Sequence, residues 1–190
     1  GLKPLFAAVQ FGEATAYPHG VPHPQVLADG DMVLIDMGGT LQGYSSDITR
    51  TYVFGTPTPR QRQLWELERQ AQAAGFAAAR IGATCASVDA AARKVFTDAG
   101  FGPGYQVPGL PHRTGHGLGI DIHEAPYIVG GNSTPLEAGM CFSIEPMLCV
   151  YGECGVRLED IVYMTQSGPR WFVPPAERLD DPFGSTEIGT

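Results

Sequence analysis

Between Leu5 and Phe11 the chain is apolar at nearly every position, and it then gives way to Tyr17-Pro18-His19-Gly20-Val21-Pro22. The two prolines exclude regular helix, so the pattern predicts a strand followed by a loop that carries His19. Asp31 to Met37 reads DMVLIDM, a short apolar run bounded by Gly30 and by Gly38-Gly39. That is the signature of a buried strand ending at the glycines, with Asp36 as the acidic exception inside it. Leu41 to Tyr44 and Ile48 to Phe54 read as the returning strands of a meander, with Asp47 just ahead of a β-branched and aromatic run. The two aspartates are therefore expected on adjacent antiparallel strands.

From Pro59 to about Ile81 the period changes. Leu64, Leu67, Ala71, Ala74 and Ala78 recur at spacings of three and four among strong helix formers, which predicts a helix packed through that stripe. A second helix follows, with Val88, Ala91, Ala92, Val95, Phe96 and Ala99 on one face, Thr84 or Ser87 as its N-cap and Gly100 at its end. Glycine and proline then dominate from Gly102 to Pro111, leading into HRTGHGLGIDIHEAP, where Gly115, Gly117 and Gly119 place the histidines on a loop or irregular strand. Met140 to Val150 and Gly155 to Met164 each read as one strand joined by a turn at Tyr151-Gly152-Glu153-Cys154. One domain over 1–165 is expected, followed by a surface tail over 166–190 that is rich in proline and charge.

Composition narrows the function. The 190 residues include 20 acidic and 12 basic side chains, for a net charge of −8. That balance disfavours phosphate backbones and anionic membranes, so neither nucleic acid nor membrane is an expected partner. No run approaches the roughly 20 apolar residues needed to span a bilayer, and residue 1 opens no export signal. Cys85, Cys141, Cys149 and Cys154 form no CxxC pair and read as reduced packing residues of a cytoplasmic protein.

Four carboxylates stand in or beside apolar runs: Asp36 in LIDMGG, Asp47 before TYVF, Glu145 in CFSIEPM and Glu159 in GVRLEDIV. A buried carboxylate without a partner costs several kcal/mol or titrates to neutral, so each position calls for a cation or a hydrogen-bond donor. Taken one at a time, a salt bridge to Arg50, Arg113 or Arg157 accounts for any of them. Taken as a set with a glycine-flanked histidine, they offer a mostly oxygen donor set whose four negative charges balance two divalent ions, the requirement for polarising an amide carbonyl. One imidazole among oxygens suits manganese, iron or cobalt at least as well as zinc.

The segments YPHGVPH, LIDMGG with SSDITRTY, RTGHGLGIDIHEAP, FSIEPM and GVRLEDIV resemble the successive motifs of the pita-bread metallopeptidases, family M24, which contains prolidase, aminopeptidase P and methionine aminopeptidase. The match spans about residues 5–165, in order, and the interval from Asp36 to Asp47 is a family spacing. The resemblance implies an α+β fold, a curved antiparallel sheet covered by helices, with the family's first helices and N-terminal domain falling ahead of residue 1. It implies two divalent ions, Mn²⁺ or Co²⁺ before Zn²⁺ or Fe²⁺, with Asp36 on one, Asp47 and Glu159 bridging both, and His116 and Glu145 completing the other. Glu145 doubles as proton shuttle from the attacking water to the leaving proline nitrogen. His19 and His123 resemble residues that contact substrate and steady the tetrahedral intermediate, and His112 one that lines the pocket. Arg157 resembles an arginine that supports a metal-binding carboxylate or approaches substrate.

The DIHEAP and GVRLED wording and the short interval from Glu145 to Glu159 resemble the proline-specific branch, which implies Xaa-Pro peptides as substrate and a homodimer. One departure stands beside the site, where Met147-Leu148-Cys149 replaces the family's glycine and aromatic residue after Pro146. The rival readings are a non-catalytic pita-bread module that binds a partner, a metal-free enzyme of the same fold acting on a small C–N substrate, and, within the class, a methionine aminopeptidase. A complete ligand set disfavours the first two.

Overall fold

The computed structural model describes residues 1–184. Strand β1 (Lys3–Phe11) pairs antiparallel with β2 (Met32–Leu41), which pairs with β3 (Tyr44–Val53), giving a three-stranded sheet. The meander expected here is one long hairpin, because Gly38 and Gly39 lie inside β2 and do not end it. The turn is Gln42-Gly43, with φ of 54° and 88°, the left-handed pair that matches a two-residue hairpin. Gly38 serves close approach: a Cβ there would meet Phe6 Cε1 at 2.4 Å and the Ser46 carbonyl at 2.7 Å.

Helix α1 (Pro59–Ala78) starts in a capping box between Thr58 and Gln61, and α2 (Cys85–Asp98) is capped by the Thr84 hydroxyl, which accepts from Ser87 N–H. The buried stripe of α1 differs from the expected one. Leu64, Trp65, Glu68, Ala71, Gln72 and Gly75 are the covered positions, so two polar side chains, Glu68 and Gln72, are buried with the apolar ones. Gly75 allows the approach, since an added Cβ would lie 3.2 Å from Ile144 Cγ2.

The second sheet has the order β10-β9-β6-β4-β5, from β4 (Gly115–Gly117), β5 (Glu124–Ile128), β6 (Cys141–Ile144), β9 (Asp160–Thr165) and β10 (Gly168–Trp171). A separate ribbon pairs β7 (Met147–Val150) with β8 (Cys154–Arg157). Each of the two long strands expected between 140 and 164 is thus broken, at Glu145-Pro146 and at Leu158-Glu159. Part of the expected surface tail joins the sheet: β10 pairs with β9, and Ala176 and Leu179 are buried, while the other described residues after Thr165 are exposed or half-buried. Trp171 stacks on Phe76 with ring centroids 4.4 Å apart, which explains why the chain stays on the sheet. Residues 185–190 of that tail lie outside the described residues.

One core cluster joins Met32, Leu34, Leu64, Trp65, Met147, Leu148, Val156 and Leu158, and a second joins Val88, Ile128, Phe142, Ile144 and Val162. The cysteines are free; Cys85, Cys149 and Cys154 are buried and Cys141 is half-buried. Among the described residues no helix is long and apolar enough to cross a membrane.

Candidate metal centre

Asp36 and Asp47 come from the β2–β3 hairpin, where Asp36 faces Thr49 and Gly38 faces Asp47, so the two carboxylates lie two residue pairs apart along the ladder and on the same face. His116 is the centre of β4, a strand squeezed between two neighbours. A Cβ at Gly115 would sit 1.9 Å from the Ser143 carbonyl, and one at Gly117 would sit 2.4 Å from that of Ala125, so only glycine fits on either side of the histidine. Glu145 and Glu159 stand at the two strand breaks, where released backbone lets their side chains turn inward.

All nine residues singled out from the sequence line one cavity of about 820 Å³: His19, Asp36, Asp47, His112, His116, His123, Glu145, Arg157 and Glu159. His116 Nε2 lies 3.2 Å from Glu145 Oε1, 3.7 Å from Asp47 Oδ2 and 3.9 Å from Glu159 Oε1. Its Nδ1 is 3.0 Å from the Gly117 carbonyl, which can only accept. Nδ1 is therefore the donor to that carbonyl; as an imidazolium the ring also donates from Nε2 to Glu145, and on losing that proton it turns the Nε2 lone pair into the cavity. Ser143 Oγ, missed in the sequence, accepts from His116 N–H at 3.0 Å and donates to Glu145 Oε1 at 3.2 Å.

Two overlapping groups have ligand atoms within 4.8 Å of one another: Asp36, Asp47 and Glu159, and His116, Glu145 and Glu159. A third adds His123 to Asp47 and His116. The rings of His116 and His123 meet edge to face, with centroids 4.2 Å apart. The acids repel one another. Burial, then the charges of Asp36 and Glu145, push Asp47 up to about 7, and burial with the charges of Glu145 and Asp47 raises Glu159 well above the ordinary range. Burial raises Asp36 as well, against the pull of Arg157. Burial would also raise Glu145, but the His116 hydrogen bond and the charges of His112, His116 and Arg157 outweigh it and hold Glu145 down to about 2.

Whether divalent cations fit is decided by the leftover acceptors. Asp36 Oδ1, Asp47 Oδ1 and Glu159 Oε1 are buried with no hydrogen-bond partner. Three orphaned carboxylate oxygens in the cavity that His116 also lines cost several kcal/mol without a cation and form a binding site with one, so the residues fit the ions.

The remaining residues divide by contact. Arg157 is almost fully buried, with Nη2 2.5 Å from Asp36 Oδ2 and Nε donating to Thr49 Oγ1 at 3.1 Å, which leaves it supporting the carboxylates. Thr49 in turn donates to Glu159 Oε2 at 2.7 Å. His112 is held through Nδ1, 2.6 Å from the Arg113 carbonyl, while its Nε2 is buried without a partner and burial lowers its pKa to about 4. His19 and His123 sit on the exposed rim. Of the three arginines offered as partners for the acids, Arg50 pairs with Asp160 at 2.7 Å, and Arg113 pairs with no acid among the described residues. The Arg113 guanidinium instead lies over the Tyr127 ring, 5.2 Å from its centroid. Phe6, Ala8, Ile122, Tyr127 and Val129 give the cavity an apolar wall that nothing in their spacing announced.

The description "metallopeptidase family M24" belongs to the family model that matches residues 3–166. The Xaa-Pro dipeptidase of Lactobacillus delbrueckii subsp. lactis is 42% identical over 171 residues, which is 90% of this chain and 45% of that protein. The probable dipeptidase PepE of Mycobacterium tuberculosis is 46% identical over 164 residues, 86% of this chain and 42% of its own length. Among solved structures, dipeptidase PepE from Mycobacterium ulcerans superposes with a TM-score of 0.85 at 46% identity, over 93% of this chain and 46% of that one. Prolidase from Pyrococcus furiosus gives 0.84 at 38% identity, over 92% and 50%. The chain spans about half the length of the relatives it matches, or somewhat less.

Proposed function

The chain belongs to metallopeptidase family M24, and from that premise we propose that it is the metal-holding part of a peptidase that cleaves between an N-terminal residue and proline. The observation that carries the proposal is the convergence of Asp36, Asp47, His116, Glu145 and Glu159 on one cavity with three carboxylate oxygens left unsatisfied. Asp36, Asp47 and Glu159 would hold one divalent ion, and His116, Glu145 and Glu159 a second, with Asp47 reaching toward both groups. Bound there, such ions supply Lewis-acid polarisation of the scissile carbonyl and stabilise the negative charge that develops on it. The oxygen-rich donor set favours manganese or cobalt.

The chain's own groups divide the remaining work. Glu145, ionised at neutral pH, accepts a proton from the attacking water and delivers it to the proline nitrogen as the amide bond breaks. His19 and His123 stand on the rim where the substrate carbonyl enters, and His112 lines the floor. The apolar wall of Phe6, Ile122, Tyr127 and Val129 suits a pyrrolidine ring and a small first side chain. Arg113, a pocket cation with no carboxylate partner among the described residues, supports a substrate whose proline itself carries the terminal carboxylate, hence a dipeptide.

Ala-Pro, Ala-Pro-Ala and Met-Ala offered to the full-length protein with Mn²⁺ test the reading. Hydrolysis of Ala-Pro above the other two is expected. Preference for Met-Ala would replace it with a methionine aminopeptidase, and no hydrolysis of any peptide by metal-loaded protein would replace it with a non-catalytic module.

A further inference from the structure

Ile144 pairs with Asp160 at the end of one ladder, and Met147 pairs with Arg157 at the start of the next. Between them Glu145-Pro146 faces Leu158-Glu159 with no mutual pairing, so one continuous hairpin opens for two residues on each strand. Every backbone group released in a buried gap must find another partner. Glu145 N–H donates to the Thr114 carbonyl at 2.7 Å, and Glu159 N–H to the Thr49 carbonyl at 3.1 Å. Helix α1 takes three more groups at the edges of the gap. Gln72 Nε2 donates to the Ile144 carbonyl at 3.3 Å and the Leu158 carbonyl at 3.2 Å, while Glu68 Oε1 accepts from Leu158 N–H at 3.3 Å.

Gln72 thus touches the residue immediately before each of two carboxylates, one on either side of the gap. It also reaches Asp160 Oδ2 at 3.0 Å, and Asp160 pairs with Arg50, whose Nη1 donates to the Glu159 carbonyl at 2.9 Å. Gln72 is 1% exposed and Glu68 fully buried, one helical turn apart on the face that packs against the gap. A buried amide used only to satisfy one carbonyl would need one acceptor. This one spans both strands, and its side chain sets the width of the opening from which Glu145 and Glu159 turn inward.

We infer that Gln72, seconded by Glu68, is a positioning residue that fixes the separation of the Glu145 and Glu159 carboxylates and so the geometry of the cations they hold. The inference rests on the metal-dependent reading above. Without the amide the two strands are free to close or shift, and the ligand oxygens lose their preset spacing.

The test compares wild-type full-length protein with Gln72→Met, which keeps volume and removes both donors, and with Gln70→Met on the exposed side of α1. Circular dichroism and thermal unfolding report the fold, calorimetry with Mn²⁺ the affinity, and the visible absorption of the Co²⁺-loaded protein the ligand geometry. Gln72→Met is expected to unfold cooperatively, bind the ions about ten- to a hundredfold more weakly and show altered Co²⁺ bands. With Ala-Pro at saturating metal, kcat falls at least about tenfold while KM changes little, and Gln70→Met behaves as wild type. Unchanged Co²⁺ bands and kcat, with only a lower melting temperature, would overturn the inference by making Gln72 a stability residue. Should Gln72→Met not fold, Gln72→Glu takes its place, and failure of both to fold overturns it too. Wild-type protein that binds the ions but cleaves no peptide sinks the functional reading alone, whereas wild-type protein that binds none sinks both.

Discussion

Arg157 Nη2 and Asp36 Oδ2 lie 2.5 Å apart, joining the ribbon strand β8 to the hairpin strand β2 across the floor of the cavity. The guanidinium is 6% exposed and the carboxylate 19%, so this pair is shielded from solvent and has no easy substitute. Arg157 also donates to Thr49, which donates to Glu159, so one cation orients two of the acids, Asp36 directly and Glu159 through one hydroxyl.

Removing that cation leaves the acids facing one another. Arg157→Met is expected to lower the stability of metal-free protein by about 3–5 kcal/mol, the usual cost of orphaning a buried charge. Saturating Mn²⁺ restores most of it, because the ions then carry the neutralising charge. Thermal melts of variant and wild type with and without Mn²⁺ check this; a loss that metal does not relieve would mean that Arg157 serves packing alone.

The acid cluster also fixes how metal-free stability responds to pH. Asp47, pushed up to about 7, and Glu159, well above its ordinary value, keep protons when folded that the unfolded chain releases. His116 acts in the same direction: burial lowers it, but the Glu145 hydrogen bond and charge outweigh burial and raise it, so its contribution is lost as pH climbs through its folded value. His112, lowered to about 4, and His123, also lowered, oppose this only below 6.5, where unfolded histidine is still charged. Glu145, held at about 2, contributes stability that is lost only toward that pH. From pH 6.5 to about 8 the metal-free protein is therefore expected to lose about 1.4 kcal/mol per pH unit for each proton in excess. Cation affinity rises over the same range as the competing protons leave. Melting temperatures of chelator-treated protein against pH would refute this by rising across that window.

Glu145→Gln keeps the size of the side chain and removes its basicity. Turnover of Ala-Pro is expected to fall by about 10²- to 10⁴-fold with the circular dichroism spectrum unchanged. Retained wild-type kcat would take the proton-transfer role away from Glu145.

Three of the thiols are expected to be inert in the native protein. Burial pushes Cys149 up to about 12 and, with the Glu153 charge, Cys154 up to about 11, and burial also raises Cys85 and the half-buried Cys141. A thiol-specific reagent at about pH 8 should reach Cys85, Cys149 and Cys154 only after denaturation. Rapid labelling of Cys149 or Cys154 in folded protein, located by peptide mass, would contradict the packing described for β7 and β8.

Much of this was legible because the site announces itself chemically. Acidic residues inside apolar runs have few physical excuses, and glycines flanking His116 mark a strand too crowded for any Cβ. The two helices followed from periodicity, and the second also from its Thr84 cap, whereas the capping box of Thr58 and Gln61 was found only in the structure. What periodicity could not show were departures from local rule that depend on a distant neighbour. In the run from Met140 to Val150 only Pro146, which lacks an N–H, marks the opening of the ladder; the groups on α1 that take released hydrogen bonds lie about 70 residues away and leave no local trace. The same distance hid the inward face of α1, where Glu68 and Gln72 read as ordinary polar positions on a helix. The hairpin tip was misplaced because Gly38-Gly39 looks like a turn, when its real constraint is the Phe6 ring pressed on Gly38.

If Asp36, Asp47, His116, Glu145 and Glu159 hold a pair of cations in one cavity, anomalous diffraction from a crystal of the full-length protein soaked in Mn²⁺ will locate both ions. Two peaks are expected, one against Asp36, Asp47 and Glu159 and one against His116, Glu145 and Glu159. A map with no peak there at saturating Mn²⁺, or with ions bound only elsewhere, would mean that these five residues are not a metal centre.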